Sequence, residues 1–340
     1  MRRASEGAPF FVRLVLKCVH KSQWIVNASN IDPPAVFLWH MSTILITGGS
    51  GLIGSALTKA LQHEGHSVRW LSRTAGERNG VKAYAWDVDK GTMDAVALQG
   101  VDHIIHLAGA GIADKRWTDA RKKELERSRA ESARLLLRIA KAQGFAPKSF
   151  ISSAGINYYG AVTSEHVFTE NDAPGHDHIA HLSKVWEEAA DEWARLCRVV
   201  KLRTPLVLAR DGGGLKKLAM PVRFGLGAPL GSGKQWMPWV HVDDLVRIYQ
   251  HALANDAMHG AYNVNASEQP TNRDFTKAVA NALGKPMFLP AVPDFLLKLA
   301  LGELSSILLG GSRASNAKLL GTGFTFRYDT LAPALKNCLP

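Results

Sequence analysis

The feature of this sequence that most constrains its fold is a short glycine-rich stretch, TGGSGLIG, at residues 47–54. The residues just before it, 43–47, read as a short apolar strand. Just after it, Leu52, Ile53, Ala56, Leu57, Ala60 and Leu61 make one helical stripe that stops at Gly65. Gly49, Gly51 and Gly54 satisfy G-x-G-x-x-G in this strand–turn–helix setting, and Gly48, Gly51 and Gly54 also give T-G-x-x-G-x-x-G. The chemistry behind the spacing is specific. One glycine makes the tight turn, another lets the backbone approach a pyrophosphate, and Gly54 lets the helix pack close to the sheet. The helix start then offers free N–H groups and the positive end of its dipole to phosphate. A chain with this turn is expected to bind a dinucleotide.

The next strand, 67–71, indicates which one. It ends Leu71-Ser72-Arg73, with no carboxylate before Glu77. An acid at this point accepts from the ribose 2′-hydroxyl of NAD, and it would repel a 2′-phosphate. Arg73 can instead pair with that phosphate through two charge-assisted hydrogen bonds. NADP(H) is therefore expected over NAD(H).

Further strands at 101–108, 149–153 and 199–203 alternate with helices at 118–143 and 184–198. Such β-α-β alternation implies an α/β fold, a Rossmann-type doubly wound parallel sheet with helices on both faces. After Arg203 the chain becomes rich in glycine and proline, then helical from about Thr271. The expected organisation is a nucleotide-binding domain at 41–210 and a smaller, mostly substrate-side domain at 211–340, with residues 261–264 returning to the sheet. Residues 1–40 lack sustained periodicity and contain Pro33-Pro34. They read as a mispredicted upstream start, an organellar targeting segment or a real arm, and stand outside the fold argument.

Composition narrows the function classes. Hydrophobic residues make up 46% and charged residues 21%, which excludes a mainly disordered or coiled-coil chain. No apolar run long enough to cross a membrane lacks charge, so no membrane partner is expected; residues 295–309, broken by Lys298 and Glu303, read as a core helix. The formal net charge of +11 favours anionic ligands without pointing to nucleic acid, and no nucleic-acid partner is expected. Cys18, Cys197 and Cys338 are too few and too scattered for a disulfide framework or thiolate metal site. A reducing compartment follows, cytoplasmic unless the first forty residues are a genuine targeting segment.

Several stretches together resemble a known family: TGGSGLIG, HLAGAGIADKRW (106–117), SSAGINYYG (152–160), WEEAA (186–190), LRTPLVLARDGGGL (202–215) and PWVHVDDL (238–245). They resemble the short-chain dehydrogenase/reductase superfamily and, more narrowly, its atypical, epimerase-like subfamily 39U, whose C-terminal part is a domain of unassigned role. The resemblance runs from about Met41 to the C-terminus. It implies that Thr47, Gly48, Gly49, Ser50, Gly51, Leu52, Ile53 and Gly54 hold the pyrophosphate, and that Ser72 and Arg73 hold the adenosine phosphate end. It places Leu107, Ala108 and Gly109 against the cofactor, and matches Glu124, Arg129 and Val207 to contact positions. A homodimer through the long helices is a further implication.

Hydride-transferring relatives use a tyrosine, a lysine four residues later and a serine. None of the tyrosines fits: Tyr84, Tyr158, Tyr159, Tyr249, Tyr262 and Tyr328 are followed at the fourth position by Val88, Val162, Thr163, Leu253, Ala266 and Ala332. Lys184 lies near the expected lysine, but Ala180 takes the tyrosine position. Ala154 takes the hydroxyl position, with Ser153 one residue earlier and so on the other face of a strand. The substitutes that can be named are Tyr159 or Tyr158 as phenol, Ser153 as hydroxyl and Lys184 as cation. His176, His178 and His181 have no nearby cysteine to complete a set, so no metal is expected. Trp236, Met237 and Trp239 read as pocket wall or as inter-domain packing, with Lys234 and His241 placed to meet an anionic substrate. The expected activity is that of an oxidoreductase or epimerase-like enzyme on a small molecule; the alternative is an NADP(H)-binding regulatory or scaffolding protein.

Overall fold

The computed structural model describes residues 41–340, so the expectations for the first forty residues lie outside the described residues. Thr43–Thr47 (β1), reading TILIT, is β-branched at four of its five positions and buried over its last four, as a strand covered on both faces must be. The glycine turn leads into Leu52–His63 (α1), and Ser67–Ser72 (β2) follows. Gly76–Arg78 (β3), Val81–Asp87 (β4) and Thr92–Met93 (β5) build one edge of the sheet. His103–His106 (β6) precedes Asp119–Glu126 (α2), a π-turn at Arg127–Glu131, and Ser132–Ala142 (α3). The single helix expected over 118–143 is thus a helix with a widened turn in its middle.

Ser149–Gly155 (β7), Val167–Phe168 (β8), His178–Asp191 (α4) and Arg198–Thr204 (β9) complete the first half. Helix α4 starts six residues before the expected Lys184, because the Asp177 side chain caps it by accepting from the Ala180 amide. The main sheet runs β12-β9-β7-β6-β1-β2-β4-β3 with β5 beside β4, where β12 is Gly260–Asn263. All its pairings are parallel except those of β3 and β5 with β4. From β1 the chain winds one way through β2 and β4 and the other way through β6, β7 and β9. The crevice at the carboxyl ends of β1 and β6 is therefore the topological switch point, where open α/β sheets bind ligands. This is the expected doubly wound α/β fold.

Alternate residues of β1 feed two cores. Ile44 and Ile46 pack with Leu57 and Leu61 of α1, whereas Leu45 joins Leu136 of α3 and Phe150 of β7 on the opposite face. Phe150 stacks on Trp193 with ring centroids 4.4 Å apart. The stretch after 210 contributes to the nucleotide-binding layer as well as to the substrate side. Leu206–Leu208 (β10) pairs in parallel with Trp239–His241 (β11), spanning Gly213–Arg223 (α5). Val242–Ala254 (α6) then packs Leu245, Ile248 and Tyr249 into the α1 core, and β12 pairs Tyr262 with Leu202 of β9. A third core forms around Phe275 and Val279 of Asn272–Ala282 (α7).

Residues 295–309 are not the expected core helix. They form Asp294–Leu301 (α8), a short 3-10 turn and Ser306–Leu309 (α9), ahead of Arg313–Ala314 (β13), which pairs with β8. Phe295 and Leu299 are 67% and 75% exposed, because this segment roofs a cavity and sends only Leu301, Leu304 and Ile307 into a small core beside Trp117 and Leu182. Among the described residues no helix is long and apolar enough to cross a membrane.

Candidate functional site

Three of the turn glycines are required by the fold itself. Gly48 sits at φ +70°, and a Cβ there would lie 2.9 Å from the Leu107 carbonyl oxygen. A Cβ on Gly49 would come within 2.4 Å of the Trp70 indole, and one on Gly54 within 2.4 Å of the Gly48 carbonyl oxygen. Gly51 differs. Its φ of −74° suits any residue, and a Cβ would meet only the Gly48 carbonyl oxygen at 3.3 Å. The bareness of Gly51 keeps open the space over the start of α1. No side chain caps that helix and no acid lies in its first turn, so the amides of the first turn are free for an outside anion. The cradle Gly48, Gly49, Ser50, Gly51, Leu52, Ile53 and Gly54 fits a pyrophosphate.

Arg73, just past the end of β2, is exposed and makes no hydrogen bond or ion pair with the described residues. Ser72 is half-buried beside it, and the nearest acid in the chain, Glu77, is exposed on β3. A free guanidinium without a neighbouring carboxylate at this strand end suits the extra phosphate of NADP(H).

Thr47 requires a correction. Its side chain is fully buried, and its hydroxyl accepts from the amides of Leu107 (3.1 Å) and Ala108 (3.0 Å). It splices the ends of β1 and β6 and does not line the cradle. Gly109 lies next in the chain, where a Cβ would stand 3.0 Å from the Arg129 guanidinium carbon. Arg129, in the π-turn, is buried. It donates to the carbonyl oxygens of Leu125 (3.1 Å) and Ala110 (2.9 Å) and lies over the Trp186 ring. No carboxylate pairs with it among the described residues, and burial pulls its pKa down to about 10, which still leaves it charged at neutral pH. Glu124 instead pairs with Arg121 at 2.7 Å, and Arg121 donates to the Gly111 carbonyl oxygen. Glu124 therefore acts on the 109–111 loop through Arg121. Val207 packs against the α1 core, while its neighbour Leu206 reaches the cavity.

That cavity has a volume of about 710 Å³ and opens at the carboxyl ends of β7 and β9. Ser153, Ala154 and Asn157 line it from β7 and the turn beyond, Thr204 from β9, and Arg129 and Trp186 from the helices. The buried Tyr249 hydroxyl of α6 neighbours those of Ser153 and Thr204 without a well-formed hydrogen bond, and burial pushes its phenol pKa up.

The other catalytic candidates lie elsewhere. Tyr159 is buried. Its hydroxyl accepts from Arg203 at 2.8 Å and lies 2.8 Å from Asn263 Oδ1 and 2.9 Å from the Thr169 carbonyl oxygen. Burial drives that phenol up to about 12. Tyr158 lies under the Arg203 guanidinium at 3.6 Å, and Arg203 forms a buried two-bond pair with Glu187. Neither tyrosine lines the cavity; together they wrap a buried ion pair. Lys184 is exposed on the outer face of α4, 3.7 Å from Glu188, and does not reach the cavity. Of the four candidates, only Ser153 faces the space.

Trp236 and Met237 line the cavity, whereas Trp239 is buried in the third core. His241 does not face the cavity; it is buried, caps α6 by accepting from the Asp243 amide, and contacts Asn337. Lys234 is exposed and apart from the lining. Sequence reasoning missed Asn157, Trp186, Thr204 and Tyr249. No local spacing marks them, since segments far apart in the chain bring them together.

The sequence matches the NAD dependent epimerase/dehydratase family over residues 44–265 and a domain of unknown function over residues 292–338. It is 33% identical over 300 residues to the mouse epimerase family protein SDR39U1, covering 86% of this chain and 98% of the mouse protein. The structure is similar to that of human SDR39U1 (isoform 2) crystallised with NADPH, with TM-score 0.77 and 32% identity over 87% of this chain and 98% of that one. It is also similar to a nucleoside-diphosphate sugar epimerase from Corynebacterium glutamicum, with TM-score 0.72 and 28% identity over 88% and 58% of the two chains. With a family match across the sheet and a relative this similar over nearly its whole length, the chain belongs to the NAD dependent epimerase/dehydratase family.

Proposed function

We propose that this protein binds NADP(H) and is an oxidoreductase of a small molecule held in the cavity at the ends of β7 and β9. The observation that carries this reading is the pairing of an uncapped, glycine-bared helix end and a free Arg73 with a cavity at the adjacent strand ends. The human relative crystallised with NADPH supports the choice of cofactor. When bound, the nicotinamide supplies or accepts hydride. The chain's own residues do the rest. The first turn of α1 holds the pyrophosphate, Arg73 clasps the 2′-phosphate, and small Ala108 and Gly109 leave room beside β6. Ser153 Oγ holds the substrate oxygen with the Tyr249 phenol behind it, and the Arg129 charge favours negative charge developing there.

One observation favours a second reading, an NADP(H)-binding protein without turnover. Tyr159 and Tyr158 are tied to Arg203, and Lys184 faces away, so no tyrosine–lysine pair reaches the cavity. Oxidation of NADPH by purified protein over a panel of aldehydes and ketones separates the two. The oxidoreductase reading expects turnover that Ser153→Ala cuts about tenfold or more while NADPH affinity holds. Tight NADPH binding with no turnover on any panel member supports the second.

A further inference from the structure

The cavity changes chemistry along its length. At the sheet end stand Ser153, Asn157, Thr204 and Arg129, and the Asn157 side chain makes no hydrogen bond to the described residues. At the far end the polar side chains that line the space are engaged with the protein. Gln235 donates to the carbonyl oxygens of Leu230 and Leu308, and Asn272 accepts from the Leu230 amide. Thr276 donates to the Asn272 carbonyl oxygen, and Ser312 donates to that of Gly160. The side chains that remain facing the space there include Val222, Leu230, Met237, Phe275 and Val279.

Charge is as uneven. Among the described residues no carboxylate lines the cavity, and the charged groups on it are Arg129 and Lys217. Lys217 Nζ is already engaged by Asp114 and the Ala113 carbonyl oxygen. A diphosphate or a hydroxyl-rich sugar placed in the far end would lose its hydration without gaining partners. The apolar surface also runs outward. Leu226 lines the cavity and is 60% exposed, and Leu297 and Leu301 line it from α8, the helix that exposes Phe295 and Leu299. An apolar rim continuous with an apolar interior is an entrance for hydrocarbon.

We infer that the substrate is of the acyl-chain class: a hydrocarbon body in the C-terminal end of the cavity and one oxygenated head at Ser153 and Asn157, within the field of Arg129. This rests on the proposed use of the cavity for chemistry. It specifies what the cavity admits, and it disfavours a nucleotide sugar as occupant.

The test uses the purified full chain titrated with cis-parinaric acid, a fluorescent fatty acid, and separately with UDP-glucose by calorimetry, each with and without NADPH. Saturable parinarate fluorescence is expected, with no heat from UDP-glucose. Leu226→Glu, at an exposed position, and Leu297→Glu, at a half-buried one, should each weaken parinarate about tenfold or more, with thermal melting unchanged for Leu226→Glu. If neither variant changes parinarate affinity, or if UDP-glucose binds and displaces parinarate, the inference is overturned. NADPH binding without parinarate binding overturns this inference alone. Parinarate binding that the two variants weaken, in a protein that does not bind NADPH, supports the acyl occupant and refutes the cofactor reading.

Discussion

Gly51→Ala separates what the fold needs from what a ligand needs. The backbone at Gly51, φ −74° and ψ 175°, is one that alanine adopts without strain. The added methyl meets only the Gly48 carbonyl oxygen at 3.3 Å, a contact relieved by a few tenths of an ångström. Two small effects act on stability. Alanine is a poorer N-cap than glycine by several tenths of a kcal/mol up to about 1. Restricting the unfolded chain returns about 0.4–1 kcal/mol. They nearly cancel, so the melting temperature should move by no more than about 2–4 °C. NADPH has no such tolerance, because the methyl occupies the space a pyrophosphate must enter to reach the α1 amides. Loss of that approach should weaken binding by about ten- to a hundredfold, or ~1.4–2.7 kcal/mol. Gly54→Ala is the contrast: its Cβ would lie 2.4 Å from the Gly48 carbonyl oxygen and 2.7 Å from the Gly49 Cα, both backbone atoms. That variant should lose about 1–3 kcal/mol of stability as well as binding. Paired thermal melts and NADPH fluorescence titrations read both quantities. A Gly51→Ala protein that melts normally and binds NADPH like the unmodified chain would refute the cradle.

Arg73→Ala should weaken NADPH by about ten- to a hundredfold and leave NADH unchanged, since a charge-assisted bond to the 2′-phosphate contributes ~1.5–3 kcal/mol; parallel titrations with the two nucleotides check it. Tyr159→Phe should cost about 1–3 kcal/mol in denaturant unfolding by stripping Arg203 and Asn263 of a partner, with NADPH affinity kept. Glu187→Gln should cost more, about 3–5 kcal/mol, because it leaves the Arg203 guanidinium buried and unpaired. Stability should also fall in mild acid. Burial holds His103 near 4 and His106 near 3, below the ~6.5 of an unfolded histidine, so between those limits the unfolded chain binds more protons. Melting temperature should therefore drop as pH falls from about 6.5 toward 4, and His103→Asn should flatten that slope.

How much the sequence revealed follows from how local each signal is. The glycine turn, each strand or helix of the alternation and the Arg73 strand end are each written within a short window of residues, so pattern alone placed them. Thr47 matched its motif position yet points into the sheet, because a strand's last residue alternates faces with its neighbours and spacing does not say which face meets the ligand. Lys184 failed for a related reason: α4 turns it outward and turns Trp186, two residues on, toward the cavity. Tyr159 was unreadable because its partner Arg203 lies 44 residues further along. The cavity itself joins Ser153 to Leu297, and no window of sequence spans that distance.

The return of β12 to the sheet sets an order for biosynthesis. Until Gly260–Asn263 has emerged from the ribosome, the outer edge of β9 has no strand to pair with, and Tyr159 lacks the Asn263 side chain it contacts. The nascent amino-terminal half thus exposes a sticky β edge beside an incomplete buried ion pair. Fragments ending near residue 210 should aggregate, and the earliest moment at which a coenzyme meets a finished layer comes late in translation, after α6 and β12 have docked.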